Sequence, residues 1–214
     1  MTKKFLLLCS LLTLCFSSRA QKEWTLKLNK DNVFVYTKNQ LHSNLKAIKV
    51  ECTLNTTLTR LVAVILDVNS GAEWVYSTKS SVLLKQVSPG DLYYYSELSL
   101  PWPVSNRDFI AHLMVTQDPV TKIVTINGPT VPDYLPAKKD IIRVKNSSGQ
   151  WILKPLQKNQ VKIEYVLETD PGGSLPAWLV NLFVTKGPFE TFKKLKGHVN
   201  KPAYTNVKLG FIMN

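Results

Sequence analysis

The chain has 214 residues, 44% of them hydrophobic, and sets 27 Lys and Arg against 15 Asp and Glu for a formal net charge of +12 at pH 7. That length accommodates one domain with a substantial core, and the surplus of cations favours anionic partners such as phospholipid headgroups or an acidic ligand. The basic residues are scattered, with no dense run carrying interleaved aromatics, so no nucleic-acid partner is expected.

Lys3 and Lys4, an apolar run over residues 5–16 and the small-residue site Ser18-Arg19-Ala20 read as a secretory leader covering residues 1–20. The run is shorter than the ~20 apolar residues of a membrane span. Cys15 sits behind Leu14, which is large where a lipoprotein acceptor site has a small residue, so lipid anchoring is not expected. Beyond the leader the only cysteine is Cys52, which excludes an intramolecular disulfide and leaves stability to the core. Its apolar surroundings, residues 47–54, predict a buried thiol rather than a nucleophile.

Residues 22–30 are ambiguous, alternating like a strand while placing Trp24 and Leu28 on one helical face. Residues 32–38 and 44–54 are β-rich, with a hairpin loop over 39–43. A helix follows, capped by Thr56 or Thr57, with Leu58, Leu61, Val62, Ile65 and Leu66 at helical spacing, and Gly71 is expected to mark its end. Residues 81–87 form the next strand. Residues 93–114 then give two strands around the break Pro101-Trp102-Pro103-Val104-Ser105-Asn106, because two prolines cannot lie in a central strand. On the first of them Tyr93, Tyr95 and Glu97 share one face, and Leu92, Tyr94, Ser96 and Leu98 the other.

Further strands are expected over 122–127, 141–145, 150–156 and 161–168. Residues 130–139 form a loop that carries Val131, Tyr134 and Leu135, apolar side chains suited to a pocket mouth or a partner. The last large element is a helix with Leu175, Trp178, Leu179, Leu182, Phe183, Phe189, Phe192 and Leu195 along one stripe. Gly187-Pro188 predicts a kink or break in it. Residues 200–214 form a tail without a clear partner. Strands, a helix, a long antiparallel series and a final helix make an α+β fold.

Searches for a nucleophile elbow, a phosphate loop, a dinucleotide fingerprint or a zinc helix find none. His42, His112 and His198 are far apart, so no metal or other cofactor is expected. Glu97 is a carboxylate among large apolar side chains and requires a cation or donor if it is buried. Arg107 either meets it across the proline turn or, with Asp108, caps that turn.

Three stretches resemble the START lipid-transfer domain, part of the wider Bet v 1-like helix-grip group. They are Glu73-Trp74 after the first helix, the W-P-x-x-x-R-D-F match at Trp102, Pro103, Arg107, Asp108 and Phe109, and residues 170–181 leading into the final helix. The likeness spans roughly residues 32–199, and the domain is drawn over 21–199. It implies a curved antiparallel β-sheet wrapped around a long C-terminal α-helix, enclosing an internal hydrophobic cavity for one apolar ligand, with residues 130–139 as a lid. Glu97 falls where sterol-binding members carry an acidic pocket residue. The partner arginine of those members is replaced by Leu113, with His112 adjacent, so the pair is absent as such.

Glu97 and His112 are therefore the candidate polar ligand contacts, and Tyr93, Tyr95, Tyr134, Trp178, Leu182 and Phe183 the candidate lining residues. The expected function is non-enzymatic binding of a lipid or similar molecule by a monomer, with transient contact to an anionic membrane surface. The alternatives are a helix-grip enzyme using Glu97 or His112 as acid or base, and an interaction module with a collapsed pocket. Well-known members act inside cells, so the leader points instead to an exported bacterial member in the periplasm.

Overall fold

The computed structural model describes residues 23–39, 46–157 and 159–214. The leader, Cys15 and the loop expected over 39–43 lie outside those residues, except for Asn39 itself.

Ten strands form one sheet: β1 (Thr25–Lys30), β2 (Val33–Asn39), β3 (Lys46–Asn55), β4 (Thr78–Ser88), β5 (Asp91–Leu98), β6 (Arg107–Gln117), β7 (Val124–Pro129), β8 (Ile142–Arg143), β9 (Asn146–Leu156) and β10 (Gln160–Asp170). Their spatial order is β1-β2-β3-β10-β9-β7-β6-β5-β4, antiparallel throughout, with β8 added in parallel to β6. The ambiguous stretch at the start resolves as a strand. Asp31 and Asn32 both adopt positive φ, 53° and 61°, as a two-residue hairpin with the twist of its strands requires, and this turn seats β1 on β2.

Helix α1 (Leu58–Leu66) begins at Thr57, whose hydroxyl accepts from the Arg60 N–H at 3.3 Å. Leu58, Leu61, Val62 and Ile65 are buried on its inner face. The helix does not run on to Gly71. It ends at Asp67, and after a 3-10 turn Gly71 opens a second short helix, α2 (Gly71–Trp74), with right-handed dihedrals. The glycine is there for close packing rather than for a left-handed cap: a Cβ at this position would stand 3.0 Å from that of Ser81.

The C-terminal helix, expected to kink or break at Gly187-Pro188, does not break there but carries an irregular turn just before it. It comprises α3 (Ala177–Asn181), a π-helical segment Leu182–Lys186, and α4 (Gly187–His198). In the wide turn the Gly187 N–H donates to the Leu182 carbonyl, five residues back. A π-turn of this kind lets a helix absorb an irregularity without stopping. Pro188 then occupies the first turn of α4, where its missing N–H is least costly.

One apolar cluster joins the concave face of the sheet (Val35, Val50, Leu153, Ile163) to α1 and to Phe192 and Leu195 of α4. Cys52 belongs to it, and burial pushes its thiol up to about 12, so it is the inert core thiol the sequence predicts. The tail does find partners. Tyr204 and Ile212 are buried, the Asn214 side chain accepts from the Thr59 N–H at 3.0 Å in the first turn of α1, and Gln117 bonds Met213 in both directions.

Candidate functional site

Between the concave sheet and the C-terminal helix lies a cavity of about 330 Å³, within the ~300–1,000 Å³ usual for small-molecule sites. Tyr94, Ser96 and Leu98 of β5 and Phe109, Ala111 and Leu113 of β6 form one wall. Gly128, Gly149, Trp151, Tyr165 and Leu167 continue it across β7, β9 and β10. Val180, Phe183, Val184, Gly187, Pro188, Thr191 and Phe192 close the helix side.

Two glycines keep the space open. Gly128 and Gly149 are cross-strand partners. A Cβ would meet Leu113 Cδ2 at 2.8 Å from the first, and the Tyr165 hydroxyl at 3.1 Å from the second.

Few polar groups interrupt this wall. Burial pushes the Tyr94 phenol up and raises that of Tyr165 to about 12, so both stay neutral. Trp74 Nε1 and Thr78 Oγ1 are buried with no hydrogen-bond partner, and both residues line the cavity. Arg107 is 2% exposed and also faces inward. Its guanidinium donates to the Ser105 carbonyl at 2.5 Å, to that of Gly172 at 3.1 Å and, through Nε, to that of Pro171 at 3.4 Å. Positive φ at Gly172 and Gly173 shapes the turn that meets it. Among the described residues no group of His, Cys, Asp and Glu is placed to hold a metal.

The candidate residues from the sequence divide sharply. Phe183 lines the cavity; Glu97, His112, Tyr93, Tyr95 and Tyr134 do not. The alternation along β5 is as expected, but the inward face is that of Tyr94, Ser96 and Leu98. On the outer face the register places Tyr93 opposite His112, Tyr95 opposite Ile110 and Glu97 opposite Asp108.

The segment after β7, expected as a lid, packs on this outer face. Tyr134 stacks on Tyr93 at 4.8 Å, Tyr93 stacks on His112 at 4.1 Å, and Lys138 lies 4.0 Å over the Tyr95 ring. His112 Nε2 meets Asp91 at 2.6 Å. Glu97 is buried and held by Lys79 at 2.8 Å and by the Asn106 amide at 2.9 Å. The Lys79 contact keeps its carboxyl below the usual range in spite of burial. Arg107 is therefore not its partner.

Leu182 is half-buried in the π segment and does not reach the cavity, and Trp178 is 54% exposed. Both lie off the stripe because the wide turn shifts the helical phase. Of the motif residues, Trp74, Arg107 and Phe109 line the cavity, Phe109 standing edge-to-face with Tyr94 at 5.6 Å. The Trp102–Pro103 peptide is cis, and Trp102 is 91% exposed at the tip of the β5–β6 turn. Asp108, fully buried, pairs in a fork with Arg143 at 2.7 and 3.1 Å.

Arg143 went unnoticed in the sequence, as did Tyr94, Trp151 and Phe192 as lining. The two faces of β5 differ by little more than the charge of Glu97, too weak a signal to mark the inner one. Arg143 also donates to the carbonyls of Pro132, Leu135 and Pro136 and so ties the outer segment to β6.

The START domain family model matches residues 17–205. An uncharacterised protein of Pseudomonas aeruginosa is 32% identical over 180 residues, covering 84% of this chain and 88% of that protein. The phosphatidylcholine transfer protein of Bos taurus is 24% identical over 169 residues, 77% of this chain and 78% of that one. Among solved structures, a fragment of the STAR-related lipid transfer protein of Xanthomonas axonopodis superposes with a TM-score of 0.76 at 34% identity, covering 83% of this chain and 99% of that one. With the curved sheet, the gripped helix and the cavity between them, the chain belongs to the START domain family.

Proposed function

We propose that the protein binds a lipid or similar apolar molecule in the internal cavity and carries or presents it without chemical change. The observation that carries this reading is the cavity wall itself. It is predominantly apolar, and although it carries Ser, Thr and Tyr hydroxyls, among the described residues it contains no carboxylate, histidine or thiol to activate one of them. Burial of the ligand's apolar surface would supply the affinity, at ~25 cal/mol per Å². The lipid-transfer relatives support the same reading.

Sheet and helix of a single chain supply both sides of the cavity, which supports a monomer. Transient contact with an anionic membrane is supported by Trp102 and Trp178, both exposed, and by the exposed lysines Lys186, Lys193, Lys194 and Lys196 of the C-terminal helix. The leader-like residues 1–20 support export to the periplasm, which fractionation of the host's cells checks directly.

Native mass spectrometry of protein purified from its host is the decisive experiment. The expected result is a bound lipid mass that is lost in Ala111→Trp, a substitution that fills the cavity from β6. Protein that is reproducibly empty and takes up nothing from mixed phospholipid vesicles overturns the reading.

A further inference from the structure

We infer that Arg107 receives an oxyanion, the phosphate or carboxylate headgroup of an amphiphile whose apolar part fills the cavity. The inference rests on the lipid-binding reading and adds the chemical class of the ligand. Arg107 is almost wholly buried, yet no carboxylate lies within salt-bridge distance of it among the described residues. The residues outside the described ranges contain no Asp or Glu that could take that place.

Three backbone carbonyls occupy part of its fork and leave the remaining N–H donors without an acceptor. A guanidinium does not discharge itself by losing its proton, so an unpaired one in a low-dielectric site is costly. Desolvation pulls its proton affinity down, and no acidic neighbour among the described residues offsets it.

The surroundings point the same way. Arg107 and Lys46 are the charged residues on the cavity wall, both cationic. Thr78, Leu98 and Arg107 are successive cross-strand partners on β4, β5 and β6, so their side chains form one row at the end of the cavity bounded by Leu100, Pro171 and Leu175. The Thr78 hydroxyl in that row is buried and without a partner. A headgroup with several oxygens satisfies both residues: the fork of Arg107 takes two oxygens side by side, and Thr78 donates to a third atom or to an ester oxygen. An uncharged lipid leaves the guanidinium without a counter-charge.

The test uses delipidated full chain and four probes in two pairs: oleate against oleyl alcohol, and phosphatidylglycerol against diolein. Affinities come from quenching of the intrinsic tryptophan fluorescence, and occupancy from native mass spectrometry. The expected result is that at least one acidic probe binds ~10-fold or more tightly than its uncharged counterpart, and that the preference persists in about 0.5 M salt, which screens surface charge but not a buried contact. Preference for oleate alone identifies a carboxylate ligand, and for phosphatidylglycerol alone a phosphate ligand.

Leu98→Glu places a carboxylate opposite Arg107 while leaving its backbone contacts in place. It should abolish the preference relative to Leu98→Gln, with binding of the uncharged probes alike in the two. Arg107→Gln should do the same, with Lys186→Gln as the surface control. Should either variant fail to fold, the other and the salt series on the unaltered chain still decide. Equal affinity for acidic and uncharged probes overturns the inference and leaves lipid binding intact. A preference that vanishes in salt, or survives in the folded variants, also overturns it. If no probe enters the cavity, both readings fall.

Discussion

Asp108 and Arg143 show how a pair of charges can be worth more for position than for energy. Neither is appreciably exposed, and the two make a bidentate contact. Pairing two ions roughly offsets the cost of removing them from water, whereas deleting one leaves the other buried and bare at a cost of ~3–5 kcal/mol. Asp108→Ala should therefore lower the unfolding free energy by that amount, read from urea denaturation, and should loosen the outer segment that Arg143 holds through three carbonyls, seen as faster amide exchange around residues 131–136.

The same pair explains why the ligand side of β5 could not be chosen from sequence. Alternation divides Tyr93, Tyr95 and Glu97 correctly from Tyr94, Ser96 and Leu98, but the segment tied down by Arg143 buries the outer face as well. Tyr95 and Ile110 are as hidden outside the sheet as Leu92 is inside it. With both faces covered, polarity no longer tells inside from outside. The cation that arranges this lies 35 residues from its partner.

At the scale of elements, local chemistry was a good guide where one residue decides and a poor one where packing does. Thr57 is such a deciding residue: it satisfies an N–H that the first turn of α1 would otherwise leave unpaired. Thr57→Ala should cost ~1 kcal/mol, a fall of ~2–4 °C in Tm for a chain of this size, measurable by thermal circular dichroism. Gly71 and Pro188 were poor guides for one reason. Each carries a strong intrinsic tendency to end a helix, and each is overridden by a neighbour: Ser81 demands a residue without a Cβ, and the π segment accommodates the proline. That segment also rotates the stripe, sending Phe183 inward and Trp178 outward.

Across the whole molecule, the tail and both ends of the helical framework meet in one polar cluster. His198 at the end of α4 contacts the Tyr204 hydroxyl at 3.2 Å, and that hydroxyl donates to Asp67 at 2.7 Å. Glu73 lies 3.7 Å from the other ring nitrogen and pairs with Lys201. Burial, reinforced by Lys201 and opposed by Glu73 and Asp67, holds the imidazole below its ordinary value.

The unfolded chain then binds a proton near pH 6.5 that the folded chain refuses, so stability is complete above that pH and declines as pH falls toward the lower native value. Denaturation midpoints should drop as the pH falls below about 6.5, and His198→Phe should flatten the decline; a profile unchanged by that substitution would show that other groups are responsible. Overall architecture was legible because three motif stretches carry it. The tail was not, because Val207, Leu209, Phe211 and Ile212 follow no sustained helical or strand pattern and only their packing against the core reveals their role.

The strand order has a consequence in time. The three N-terminal strands join the rest of the sheet through the pairing of β3 with β10, where Ile48 meets Leu167 and Asn55 meets Gln160. More than half of the chain must therefore exist before the sheet can close up, and the C-terminal helix that completes the cavity is made later still. Pairings this distant in sequence are entered slowly, because loop-closure entropy is spent before the contacts form. A nascent chain thus has nowhere to keep a guest. Cargo is acquired only after synthesis is nearly finished, and an interrupted chain exposes half a sheet rather than a smaller container.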